Sequence, residues 1–266
     1  MSPSAQRRPY LRRTPIALAH RGGARYGPNV GLENTLTAFR NAVALGYTHL
    51  ETDVHVTRDG LLVAFHDRRL DRVSAAAGRI GQLGWEQLSR VRVAGAEPVP
   101  LLTDVLDALP TVNLNIDLKA PGTPGPLWRL VEERGLHDRI CVGSFSQRRL
   151  SQFRRLARGS VATAAGWPAG ALAALGPARL PRVLSTPADV YQLPGSLRLG
   201  GRHLPVVTPR LVELAHQQGK QVHVWTVDDP LAMHHYLDLG VDGIVTDRID
   251  VLRRVLLARG QWTGAP

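Results

Sequence analysis

Four stretches of the chain repeat one alternation. A run with apolar residues three and four apart ends at a glycine and is followed by a run rich in β-branched and apolar residues. "ENTLTAFRNAVALG" places Leu36, Phe39 and Val43 on one helical face, stops at Gly46 and leads to "HLETDVHV". "PLWRLVEERG" stops at Gly135 and leads to "RICVGSF". In "TPRLVELAHQQG", Thr208 reads as an N-cap, Pro209 as the first helical residue and Gly219 as the stop before "QVHVWTV". "DDPLAMHHYLDLG" uses Asp229, Pro230 and Gly240 in the same way before "VDGIVTD". Further strands are predicted at "IALAHRG", "VNLNIDLK", "SVATAAGW" and "ADVYQLP", with a helix "TDVLDALP" ahead of the second of these. Strands alternating with helices imply a parallel sheet. About eight of them in 266 residues fit a single (β/α)₈ TIM-type barrel. A doubly wound sheet would place G-x-G-x-x-G after the first strand, and "HRGGARYG" lacks that spacing. Residues 68–100 are irregular and read as a small insertion after the second strand. The expected organisation is a basic N-terminal tail over 1–14 and a barrel domain over 15–266.

Within this frame one strand is unusual. "HLETDVHVTRDGLLVAFHD" reads as a hairpin whose first strand has Leu50, Thr52 and Val54 on one face and His49, Glu51, Asp53 and His55 on the other. "NIDLK" repeats the pattern, with Asn115, Asp117 and Lys119 sharing a face. In a barrel the second face points inward, and chemistry gathers at the C-terminal ends of the strands. Glu51, Asp53 and Asp117 would then meet near the mouth, and three carboxylates suit a hard divalent cation, Mg²⁺ or Ca²⁺. Without one they would repel and raise one another's pKa, unless arginines pair with them. His20 and Arg21 end the first strand, and His66 follows the return strand of the hairpin. Two histidines flanking a cation make an acid–base pair, while Arg21 offers a planar fork and Lys119 a point charge to a phosphate. His55 shares the acidic face but lies beyond the mouth.

Charge narrows the ligand. The net charge is +11, and only Lys119 and Lys220 among the 33 basic residues are lysines. Apart from Arg7, Arg8, Arg12 and Arg13, the arginines are scattered, with no basic helix and no aromatic residues interleaved among them. Nucleic-acid binding is not expected, whereas an anionic small molecule is. No apolar run reaches the roughly 18–20 residues of a membrane helix. No apolar core follows the basic N-terminus as in a secretory signal. Cys141 is the only cysteine, so no intrachain disulfide can form. A cytoplasmic protein without an integral membrane segment is expected, with peripheral membrane contact and oligomeric state left open.

"AHRGG", "ENTLTAF", "LETDVHVTRDGLLVAFHD", "PLLTDVLDAL", "LNIDLK", "VHVWTVDD" and "GVDGIVTDRID" together resemble the glycerophosphodiester phosphodiesterase family in order and spacing, over about residues 15–258. The resemblance implies a TIM-type barrel, one divalent cation, and hydrolysis of glycerophosphodiesters to glycerol 3-phosphate and an alcohol. By motif it implies His20 and His66 as the catalytic pair and Glu51, Asp53 and Asp117 as metal ligands. It also implies Arg21 and Lys119 as phosphate contacts, Glu33 and Asn34 as a brace at the mouth, and Trp225 beside the substrate. Three departures stand out: Asp117 where the family usually has glutamate, a longer loop "ARYGPNVGL" in which Leu32 replaces a common proline, and a short 68–100 segment. The competing expectations are a lysophospholipase D or phosphatidylinositol-type lyase on the same scaffold, and a non-catalytic phosphate-binding barrel.

Overall fold

The computed structural model describes residues 8–176, 186–199 and 201–265. Its elements run β1 (Ile16–His20), α1 (Leu36–Ala44), β2 (His49–Val56), β3 (Leu62–Ala64), α2 (Trp85–Leu88), β4 (Arg92–Val93), β5 (Glu97–Pro98) and α3 (Leu102–Ala108). Next come β6 (Asn113–Leu118), α4 (Pro124–Arg134), β7 (Ile140–Gly143), α5 (Gln147–Ala157), β8 (Ala162–Thr163), α6 (Trp167–Leu175) and β9 (Val190–Pro194). The chain finishes with β10 (Ser196–Leu199), β11 (Arg202–Pro205), α7 (Pro209–Gln217), β12 (Gln221–Trp225), α8 (Pro230–Asp238), β13 (Gly243–Thr246) and α9 (Ile249–Ala258).

Eight of these strands are parallel neighbours in the order β8-β7-β6-β2-β1-β13-β12-β9. The last seam is joined by one parallel bridge, Ala164 to Val190, with Asp189 N donating to Thr163 O at 2.9 Å. The result is the expected barrel, with β3 returning antiparallel on β2. The helix starts follow local chemistry: Thr208 caps α7 by accepting from Leu211 N, and Asp229 caps α8 by accepting from Ala232 N. Leu50, Thr52 and Val54 are fully buried beneath the helices, as the alternation requires.

Two smaller cores shape the ends of the barrel. At the floor, residues 9–11 of the stretch read as a tail form a 3₁₀ turn, and Tyr10 and Leu11 are buried beneath Ile16, Leu18, Cys141 and Val190. Tyr10 stands edge-on to the His49 ring at 4.9 Å, and Gln221 Nε2 donates to Leu11 O at 2.7 Å. At the other end, the insertion carries its own core of Val63, Phe65, Leu70, Ile80, Leu88, Val93 and Val99. That core fixes the path of the chain through His66. No helix among the described residues is long and apolar enough to cross a membrane.

Candidate active site

The site is built on register. His20 is paired with Glu51 across β1 and β2, and Asp53 with Asp117 across β2 and β6. Four chemical groups on three adjacent strands therefore reach the C-terminal mouth side by side. Beyond His20 the chain must turn sharply, and Arg21, Gly22 and Gly23 have φ of 50°, 87° and 90°. A Cβ on Gly22 would stand 2.8 Å from Ala38 Cβ, and one on Gly23 2.7 Å from Ile249 Cδ1. This explains "HRGG": the two glycines admit α1 and α9 against the turn, and Arg21 takes a left-handed backbone that aims its N–H at Glu51 Oε2, 3.1 Å away.

The carboxylates differ in their surroundings. Asp53 accepts from Asn34 Nδ2 at 3.0 Å and lies 3.0 Å from Lys119 Nζ. Arg21 Nε is 3.1 Å from Asp53 Oδ2, close enough for charge attraction although its N–H makes no aligned hydrogen bond. Burial alone would raise Asp53, but Lys119 and Arg21 hold it below the usual carboxylate range. For Glu51, burial together with the charge of Asp53 outweighs the opposing pull of His20 and Arg21 and pushes it up to about 7. Asp117 is also raised, by burial and Asp53, despite Lys119 at 3.0 Å; its Oδ1 is buried without a hydrogen bond.

Both histidines hold a carboxylate through Nδ1: His20 to Asp247 Oδ1 at 2.7 Å, and His66 to Asp67 Oδ1 at 2.6 Å. His20 Nε2 is left 3.8 Å from Glu51 Oε2. Burial lowers the His20 pKa, but Asp247 and Glu51 outweigh it and the net shift is upward. His66 is lowered by burial, Lys119 and Arg21. Glu33 accepts from Arg21 at 3.2 Å and from Arg72 at 2.6 Å, and Arg72 reaches on to Asp67 at 2.5 Å. Asn34, itself left-handed at φ 58°, also accepts from Thr52 Oγ1 at 2.8 Å. His55, outside the cavity, meets the His66 carbonyl through Nε2 at 3.1 Å.

These groups surround a cavity of about 300 Å³ lined by His20, Arg21, Glu51, Asp53, His66, Asp117, Lys119 and Trp225; Glu33 and Asn34 stand behind it. The lining also includes the apolar side chains of Ala164, Ala165, Leu193 and Val245, with Trp225 edge-on to Phe145 at 5.6 Å. The residues named from the sequence as catalytic, metal-binding or substrate-binding candidates thus line one cavity, with the Glu33–Asn34 brace behind it. Asp247, Asp67 and Arg72 were not among them. The adjacent "HD" and the aspartate ending "GIVTD" were the available signals, but each gains meaning only from the fold.

Among the described residues, no three His, Cys, Asp or Glu side chains converge closely enough to enclose an ion. The positive charge between Asp53 and Asp117 is the Lys119 ammonium. Chemically the donors fit a hard cation: they are all carboxylate oxygens, one is buried and unpartnered, and Glu51 is raised by burial and by the charge of Asp53.

A family model described as the glycerophosphoryl diester phosphodiesterase family matches residues 20–251. The chain belongs to this family. Membership makes it an enzyme of the phosphoric diester hydrolase class. It is 42% identical over 256 residues to a probable glycerophosphodiester phosphodiesterase 2 of Mycobacterium tuberculosis, covering 94% of each chain. Among solved structures it resembles a putative glycerophosphoryl diester phosphodiesterase from Silicibacter pomeroyi, at TM-score 0.77 and 24% identity over 94% of this chain and 97% of that one. It also resembles an Oleispira antarctica phosphodiesterase solved with the product sn-glycerol-3-phosphate, at TM-score 0.74 and 20% identity over 91% and 97%. These two likenesses are of fold.

Proposed function

We propose that this protein hydrolyses glycerophosphodiesters to glycerol 3-phosphate and an alcohol, using His20 and His66 as its acid–base pair and one divalent cation, Mg²⁺ or Ca²⁺, held by Glu51, Asp53 and Asp117. The observation that carries this reading is the pair of histidines, each with Nδ1 on a carboxylate and Nε2 left for chemistry, at a cavity that also holds Arg21 and Lys119. A pure phosphate binder has no use for two oriented proton carriers.

Arg21 and Lys119 bind the phosphoryl oxygens and oppose the charge that builds there. When bound, the cation supplies Lewis-acid polarisation of the same oxygens. His20 accepts the proton of the attacking hydroxyl, and Asp247 stabilises the ring as it becomes charged. His66 protonates the departing alcohol, with Asp67 fixing its tautomer. The brace through Asn34 and Glu33 keeps Asp53 and Arg21 in place.

The test is a screen of glycerophosphodiesters and lysophospholipids for release of glycerol 3-phosphate or lysophosphatidic acid, before and after exhaustive chelation. Glycerol 3-phosphate should be released, lost in chelator and restored by Mg²⁺ or Ca²⁺, and Glu51→Gln should weaken both cation binding and turnover. Full activity after chelation would remove the cation from the reading. Absence of either product from every substrate would remove the reaction.

A further inference from the structure

Asp67, which holds the His66 ring, is itself held from the insertion. Asp67 Oδ1 lies 2.6 Å from His66 Nδ1, and its other oxygen accepts from Arg72 Nε at 2.5 Å. The two Nη groups of the same guanidinium donate to the two oxygens of Glu33, at 2.8 and 2.6 Å. Glu33 Oε1 also accepts from Arg21 Nη1 at 3.2 Å. One planar fork therefore touches both the carboxylate behind the proposed proton donor and the carboxylate behind a phosphate-binding arginine. Burial works to raise Asp67 and Glu33, and the hydrogen bonds from Arg72 lead the influences that hold both below the usual carboxylate range. The turn that carries Arg72 is anchored on either side. Leu70 is buried in the core of the insertion, Val73 packs against that core, and Ala94 N donates to Val73 O at 2.9 Å. Ser74 Oγ closes the turn by donating to Leu70 O at 2.9 Å. The Arg72 side chain itself is half exposed, so the carboxylates and the anchored turn set its place. No residue between His66 and Asn115 lines the cavity.

We propose that Arg72 is a positioning residue that couples the proton donor to the phosphate clamp. Through Asp67 it fixes the His66 ring with Nδ1 bound and Nε2 free, and through Glu33 it fixes Arg21. The proposal rests on the diesterase reading. Its physical basis is geometric. A carboxylate bound to its histidine through one oxygen can still swing about that contact, and a second charge-assisted bond to the other oxygen removes the freedom. A guanidinium can face two carboxylates at once in its own plane, whereas an ammonium supplies the charge without the fork. The insertion thus acts on the chemistry from outside the cavity, through this one side chain.

The test measures kcat and KM for glycerophosphoglycerol and for a nitrophenyl diester of glycerol 3-phosphate. In Arg72→Gln, kcat on the alkyl diester should fall by about 10²-fold, the cost of a misplaced group, and much less on the nitrophenyl diester, whose leaving group needs no proton. KM should rise on both, because Arg21 is loosened. Arg72→Lys should recover part of the loss. Asp67→Asn and Arg72→Gln should not add, since they break one linkage. Arg69→Gln, which removes the neighbouring ion pair with Asp71 on the same turn, serves as the control and should change neither ratio. The second readout needs no turnover. The ring ¹⁵N shifts of His66, read through its carbon-bound protons, report which nitrogen holds the proton in the neutral ring. The native protein should show Nδ1–H, and Arg72→Gln should shift toward Nε2–H. Equal kcat losses on the two diesters, losses that add with those of Asp67→Asn, or an unchanged His66 tautomer in Arg72→Gln overturns the coupling. A tautomer that depends on Arg72 in a protein that cleaves neither diester supports the linkage and overturns the diesterase reading.

Discussion

With Nδ1 of His20 committed to Asp247 and Nδ1 of His66 to Asp67, Nε2 is the nitrogen each ring would use in the proposed reaction. The roles can then be separated by leaving group. If His66 gives a proton to the departing alkoxide, His66→Ala should cost 10²–10⁴-fold on an alkyl diester, the usual worth of general acid catalysis, and much less on a nitrophenyl diester. His20→Ala should be damaging on both, because the nucleophile needs activation in either case. Asp247→Asn should resemble a milder His20→Ala, lowering kcat more than it changes KM. The opposite pattern, with His20→Ala rescued by nitrophenolate and His66→Ala equally poor on both, would exchange the two roles. Asp247 shows how far a sequence can be read at this scale. His20, Glu51, Asp53 and Asp117 declare themselves by polarity at inward strand positions and His66 by following the return strand of the hairpin, whereas Asp247 gains its meaning only when β13 comes to lie beside β1. Arg72 likewise gains its role only when the core of the insertion places it between Glu33 and Asp67.

At the level of elements, the parallel strands and most helices are legible because periodicity, caps and glycine stops agree with one another. Two pieces are not. α6, from Trp167 to Leu175, contains no polar residue other than its backbone, so no alternation reveals a face. β10 and β11 pair only with each other, outside the barrel, and so leave no trace in the βα alternation. The β1–α1 turn is an element whose sequence and geometry can be tested directly. Gly22→Ala forces a side chain into left-handed backbone, costing about 1–2 kcal/mol. It also places a Cβ 2.8–2.9 Å from Ala38, for about 1–3 kcal/mol more. Gly60 has almost the same φ, 90° against 87°, and a Cβ there meets nothing within 4 Å. Gly60→Ala should therefore cost only the backbone part. Denaturant unfolding of the two variants checks this, and equal losses would show that close packing of α1 on the turn contributes nothing.

Across the whole molecule, the barrel floor carries a pH sensitivity unrelated to catalysis. His49 and His223 are buried in the barrel interior, where desolvation lowers them to about 4 and about 3. In the unfolded chain each would titrate near its ordinary ~6.5. As pH falls below that value the unfolded state takes up a proton at each position while the folded state does not, so both contributions are intact above pH 6.5 and fade as pH drops toward 4 and 3. Each is worth about 1.4 kcal/mol per pH unit over that window. His20 and Glu51 act in the other sense, since both are raised in the folded state and gain protons there first. His55 and His66, both lowered by burial, act in the same sense as the floor pair, so the net slope of the intact protein mixes opposing groups and the floor must be isolated by difference. Stability measured by denaturant between pH 5 and 7.5 should rise with pH more steeply in the native protein than in His223→Gln, by about one proton. His49→Gln should remove a similar slope. Gln can keep a hydrogen bond in a cavity already lined by Gln221 and Gln192, which lie 3.0 and 3.5 Å from the His223 ring nitrogens, so folding of the variant is expected. A variant whose slope equals that of the native protein would show that His223 is protonated in the folded barrel, and that the floor admits more water than its packing implies.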